Sequence, residues 1–301
     1  MRAADLRLGI IGTDTSHAPV FTRILNDPSD PEHVSGARVV AAFKGGSPDL
    51  PDSAHRVDQF AQELETRWNV KFYPTIEAML AHVDAVLLES VDGRRHLEQV
   101  RPVFAARKPV FIDKPLASTL ADALEIARLG KESGTPWFSS SSLRYGALAQ
   151  QMKVSDPSGA ITWGPGPMEP HHQLDLSWYA IHPIELLFTL MGPGCLEVVR
   201  ISSEHADEIT GRWKDGRIGS VRAIRPSSPY GAVVFRPKEV LQSPTKVPFS
   251  YAPLLREVIR FFQTKVAPVP NSETLEIFAF MDAAQRSKEL GGQAVQLPKI
   301  D

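Results

Sequence analysis

The first half of the chain alternates short, continuously apolar runs with amphipathic helical patterns, and this alternation limits the fold more than any other feature. Leu6 to Gly12 reads as a buried strand. Helical spacing follows from about Pro19, with Phe21, Ile24 and Leu25 on one face and a stop near Asn26-Asp27-Pro28. Arg38 to Phe43 is a second strand. Val57, Phe60, Ala61, Leu64 and Trp68 then make an amphipathic stripe. Lys71 to Tyr73, Ala85 to Leu88, Pro109 to Ile112 and Trp137 to Ser139 complete six strand signals. Helical patterns separate them over Ile76 to His82, through Leu97, Val100 and Phe104, and from an N-cap at Thr119 to a stop at Gly134. Strands apolar on both faces, joined by helices, predict a parallel sheet covered on both sides.

The second half changes character. Pro157 to Pro170, with Pro and Gly at alternate steps, reads as a loop. Ile184, Leu187, Phe188 and Met191 mark a helix that stops at Gly192-Pro193-Gly194. Strand-like segments follow over Leu196 to Ser202, Ile209 to Trp213, Ser220 to Ile224 and Gly231 to Phe235, with a hairpin signal at Asp215-Gly216. Two helices close the chain, around Leu254 to Lys265 and Thr274 to Leu290. The pattern predicts an α/β domain over residues 1–138 and an α+β domain over 139–301.

Charge narrows the function. Lys and Arg number 33 and Asp and Glu 35, a formal net charge of −2, which gives no electrostatic reason to bind nucleic acid. The one cysteine, Cys195, leaves no internal disulfide and no Cys-rich zinc module. The longest stretch without charged residues, Pro157 to Met168, is too short to span a bilayer. Met1 to Asp5 lacks the apolar core of a secretory signal, so no membrane partner and a cytoplasmic location are expected.

Four places carry possible chemistry. The first strand–helix turn, Gly12-Thr13-Asp14-Thr15-Ser16-His17, lies where a dinucleotide diphosphate rests on helix N-terminal amides. Asp14 and His17 stand where a phosphate loop has glycines. A carboxylate there repels phosphate unless it points away, so a turn that no longer holds a dinucleotide well is the competing reading. After the second strand no acid is offered to a ribose 2′-OH. Lys44 and Ser47 could meet a 2′-phosphate instead, which tilts NAD against NADP towards NADP, the plain alternative being a solvated loop lysine. Asp113-Lys114-Pro115 follows the fifth strand at the ligand-binding edge of such a sheet, where partial burial suits a lysine to acid–base work. His182 and Glu185 share one helix face, with His171, His172 and Asp175 upstream. The spacing matches no strong zinc motif, so no metal is assigned.

Together these signals resemble the Gfo/Idh/MocA oxidoreductases, the group of glucose–fructose oxidoreductase, inositol dehydrogenase and MocA. The resemblance rests on Phe72-Tyr73-Pro74 with Ile76 to Leu80, Asp84 to Leu88, His96, and Val110 to Ala117 around Asp113-Lys114-Pro115. Leu143-Arg144-Tyr145, His182-Pro183-Ile184-Glu185 and Ser272 to Val295 extend it. It implies a Rossmann domain followed by an α+β domain on a large open, mainly antiparallel sheet. It implies NAD(P)-dependent oxidation or reduction of a CH–OH or ketone group on a sugar, cyclitol or related polyol. On that likeness Lys114 meets the reacting oxygen, His182 handles the proton, and hydride goes to or from the nicotinamide. Glu89, His96 and Asp113 join the glycine turn in holding the cofactor, and Arg144, Tyr145, Asp175, Trp178 and Glu185 line the substrate site. The open sheet implies a homodimer or homotetramer.

Three departures stand out: Asp14 and His17 in the turn, Asp113 for a Glu, and Trp178 where an Asp precedes the histidine by four residues. An imidazole without an orienting partner has a less defined tautomer, unless Glu185, Asp175 or a carbonyl substitutes. The same departures motivate the alternative of a non-catalytic carbohydrate-binding or assembly protein with no cofactor bound.

Overall fold

A computed structural model describes residues 5–300. Contacts divide the chain into two units. The first begins with β1 (Leu6–Ile11), α1 (His17–Asn26), β2 (Ala37–Phe43), α2 (Pro51–Ala54), α3 (Val57–Trp68) and β3 (Lys71–Phe72). It continues with α4 (Ile76–Leu80), β4 (Ala85–Leu88), α5 (His96–Ala105), β5 (Val110–Ile112), α6 (Leu120–Ser133) and β6 (Trp137–Ser139). The strands pair in parallel in the order β3-β2-β1-β4-β5-β6, the doubly wound arrangement. Local signals bound its helices. Thr75 caps α4 by accepting from the Ala78 amide, and Asn69 closes α3 in a left-handed conformation, φ 54°.

The second unit carries α7 (Ala147–Met152), β7 (Gly159–Pro165), α8 (Ile181–Met191), β8 (Cys195–Ser202), β9 (Ala206–Trp213), β10 (Ile218–Ile224), β11 (Gly231–Arg236) and β12 (Glu239–Gln242). After α9 (Ala252–Thr264), which belongs with the first unit, the second unit closes with α10 (Asn271–Glu289) and β13 (Val295–Gln296). Its seven-stranded sheet runs β12-β11-β7-β10-β9-β8-β13 and is antiparallel except between β7 and β10. The expected α/β plus α+β architecture is what the chain adopts.

Two features differ from the sequence reading. Pro157 to Pro170 is not all loop, because β7 occupies its first half and sits inside the sheet. Its glycine is there to make room: a Cβ on Gly164 would come within 2.5 Å of the Tyr230 ring. The contacts also group Ser250–Asn271, and hence α9, with the first unit. There Phe261 packs edge-on against Phe138, which in turn meets Phe111 on β5. Each such buried ring contributes about 1.5–3 kcal/mol. Among the described residues, no helix is long and apolar enough to cross a membrane.

Candidate active site

The carboxyl ends of β1, β2, β4 and β5 meet at one edge of the first sheet, where open α/β sheets bind ligands. Gly12 opens the turn after β1 with φ +91°. A Cβ there would lie 2.3 Å from Ser90 Oγ, so only glycine fits against the strand-end of β4. The Gly12 and Thr13 amides donate to the carbonyls of Phe43 and Lys44. Thr13 is fully buried, Thr15 nearly so, and Ser16 is exposed at the start of α1.

Asp14 turns inward. Its carboxyl is fully buried, accepting from the Ser53 hydroxyl at 2.6 Å and the Val91 amide at 3.1 Å. Burial pushes its pKa up, against the pull of those two donors. His17 is committed as well: Nδ1 lies 2.5 Å from Asp113 Oδ2 and Nε2 3.1 Å from the Tyr251 hydroxyl, with the ring stacked on Phe21. The residues that replace the phosphate-loop glycines are therefore parts of a buried polar network.

Asp113 and Glu89 are neighbours in the register that pairs Leu88 with Ile112. Burial works to raise the Asp113 pKa, but His17 and Lys114 outweigh it and hold the carboxyl below its usual range. Glu89 has no such help. Both its oxygens are buried without a hydrogen-bond partner among the described residues, and burial, then the charge of Asp113, pushes its pKa well up. The folded chain thus binds this proton more tightly than the unfolded chain, whose value is about 4.3. The stability it contributes is whole at low pH and is lost as pH rises through the folded pKa. Glu89→Gln keeps the shape and cannot ionise. Melting curves from pH 5 to 9 should show the variant gaining on the native chain as pH rises; a constant difference would contradict a raised Glu89 pKa.

Lys114 keeps part of its surface accessible. Desolvation pulls its ammonium pKa down and Arg56 adds to this, while Asp113 opposes. His96 is a spacer rather than an exposed contact: it is fully buried, with one ring nitrogen 3.2 Å from the Leu116 carbonyl and the other 2.7 Å from that of Ser90.

A cleft of about 410 Å³ opens beyond β2 and β3, lined by Phe43, Gly45, Gly46, Thr75, Arg95 and Gln99. Gln99 Oε1 is buried there without a partner among the described residues. The cleft has room for a nucleoside. The side chains read as 2′-phosphate contacts are engaged elsewhere. Lys44 pairs with Asp58, and the Ser47 hydroxyl donates to buried Asp92 at 2.7 Å. The tilt towards NADP loses its basis. A diphosphate does not fit the glycine turn as the chain stands, because Asp14 and Ser53 fill the approach and the first two amides are spent.

In the second unit His182 opens α8, 8% exposed, with Tyr179 and Tyr230 edge-on to its ring. Ser141 Oγ lies 2.7 Å from its Nδ1, a partner the sequence reading did not name. Ser141 stands in the run Ser139 to Ser142 after β6, a signal the sequence reading did not use. Glu185 accepts from the Ser141 amide at 2.7 Å and from Arg144 at 2.8 Å. Arg144 reaches Glu273 as well, at 2.8 Å, so its guanidinium braces α8 and α10. Tyr145 ends the short turn that carries Arg144.

Asp175 is drawn away from the imidazole by Arg200 at 2.7 Å and Lys288 at 2.7 Å. Trp178 is buried edge-on to His172. The histidines do not gather: His171 meets Glu169, and His172 meets Ser177. Among the described residues no group of three or more His, Cys, Asp or Glu is placed to hold a metal ion.

Comparison with known proteins agrees with the first unit. Residues 6–140 match the GFO_IDH_MocA family model, described as an oxidoreductase family with an NAD-binding Rossmann fold. An inositol 2-dehydrogenase of Mycolicibacterium gilvum (strain PYR-GCK) is 30% identical over 133 residues, which is 44% of this chain and 34% of that protein. The chain thus aligns with about a third of that relative's length. Among solved structures, myo-inositol dehydrogenase from Lactobacillus casei, in complex with NAD(H) and myo-inositol, superposes with a TM-score of 0.76 at 18% identity, over 99% of this chain and 98% of that one. An oxidoreductase from Agrobacterium radiobacter in complex with NAD+, L-tartaric acid and magnesium gives 0.76 at 14% identity, over 98% and 99%. At these identities the likeness is one of fold.

Proposed function

We propose that this chain, whose residues 6–140 match the model of the Gfo/Idh/MocA oxidoreductases, is a dehydrogenase or reductase of that family acting on a carbinol or ketone of a sugar, cyclitol or related polyol. The observation that carries this reading is Lys114. It follows β5 at the ligand-binding edge of the sheet, beside an anionic Asp113, with its pKa drawn down by desolvation. A lysine so placed donates a hydrogen bond to a substrate oxygen and can give up its proton as charge develops there. His182 is the second proton-handling group, held through Nδ1 by Ser141. The resemblance to inositol dehydrogenases supports the substrate class, and NAD(P) would supply or accept the redox equivalent.

Ser141 is a positioning residue on this reading. Ser141→Ala should lower kcat about tenfold, the worth of one hydrogen bond, and broaden or shift the limb of the pH profile that belongs to His182. An unchanged profile would assign Ser141 a structural role only. The resemblance supports a homodimer or homotetramer, which light scattering measures directly.

One observation favours a second reading, a carbohydrate-binding protein without redox activity: the diphosphate approach is filled by Asp14 and Ser53. The two readings separate in a titration with NADH and NADPH followed by turnover on a polyol panel. Saturable binding with turnover supports the enzyme. Polyol binding with no response to either dinucleotide supports the other.

A further inference from the structure

We propose that residues 47–56 form a lid over the carboxyl ends of β1 and β4, which must swing out before a dinucleotide diphosphate reaches the glycine turn. The inference rests on the reading that this edge holds NAD(P), and it reconciles that reading with the filled approach. The segment follows β2 and touches the turns after β1 and β4. Ser53 donates to Asp14, after β1. Ser47 donates to Asp92, after β4, at 2.7 Å. Arg94 reaches back from that same turn to Asp49 at 2.8 Å while also holding Asp92 at 2.7 Å.

The fastening is polar and thin. Within 47–56 only Ser47, Leu50 and Ser53 are buried, so one apolar side chain, Leu50, anchors the segment. Segments with so little buried apolar surface open at low cost. Gly45 and Gly46, with φ +64° and +107°, precede the segment and can absorb a large backbone rotation. Gly45 lies against the glycine turn itself: a Cβ on it would stand 3.2 Å from Gly12 Cα. Opening would expose the turn and separate Asp14 from Ser53, and so clear the approach that is now filled. When a binding-competent state is only partly populated, apparent affinity falls by that fraction. Loosening the lid should therefore tighten binding.

The test is a fluorescence titration of the full chain and of Ser53→Ala and Ser47→Ala with NADH and NADPH, with amide exchange followed on the native chain. Each variant deletes one fastening and leaves Lys114 and His182 in place. The expected result is a dissociation constant about tenfold lower in either variant, with faster exchange at residues 47–56 when NADH is added. Exchange on the native chain decides the matter should a variant fail to fold. Native binding with no gain in the variants and no change in exchange at 47–56 would overturn the lid and leave the enzyme reading intact. Binding by none of the three chains would overturn both.

Discussion

Lys114→Ala is expected to lower kcat on any polyol the chain turns over by about 10²–10⁴-fold, while the fold survives. The sign of the stability effect follows from desolvation. The folded chain holds the Lys114 ammonium below its ordinary pKa, so it binds that proton less tightly than the unfolded chain. Below the folded pKa this costs stability, and the cost fades as pH rises through it and on to the unfolded value of about 10.4. Removing the ammonium at neutral pH therefore leaves the melting midpoint equal or higher. A residue kept for packing would show the reverse, unchanged kcat and a lower midpoint. Lys114→Arg keeps the charge but cannot release a proton, and a planar guanidinium cannot take the place of a compact ammonium, so it should not restore turnover.

Arg144→Ala should destabilise the second unit strongly, by about 3–5 kcal/mol in urea unfolding. The guanidinium is 11% exposed, and its partners Glu185 and Glu273 are 5% and 12% exposed. Burial works against its charge, and the two carboxylates hold it protonated. Deleting it strands both acids in a poorly solvated place. The loss also reaches the imidazole, since Glu185 fixes the Ser141 amide and Ser141 fixes His182. Turnover should drop even under conditions where the variant is folded. Arg144→Lys, which cannot reach both partners with a planar fork, should recover only part of the stability. A loss below 1 kcal/mol for Arg144→Ala would mean that the two glutamates find other partners.

The strands of the first unit were legible because each is an unbroken apolar run bounded by turn residues, and the helices because their stripes keep helical spacing. Strand β7 was not, since its glycines and prolines, which here make space for aromatic rings and end a strand, are the same residues that make loops. The place of α9 was hidden because a helix carries no mark of which sheet it will cover. Lys114 and His182 were proposed from their neighbours in sequence alone. What Asp14 and His17 do could not be read there, because their partners Ser53, Val91, Asp113 and Tyr251 are set by tertiary contact. Nor could the upward shift of the Glu89 pKa, which comes from burial and then from the charge of Asp113, a pairing that depends on the register of β4 and β5.

The most direct measurement is a nicotinamide fluorescence titration of the full chain and its Ser53→Ala variant with NADH and NADPH to millimolar concentration. A dinucleotide-holding edge at β1, β4 and β5 predicts saturable binding of at least one of them, tighter in the variant. A flat, unsaturated response from both chains with both dinucleotides would contradict it.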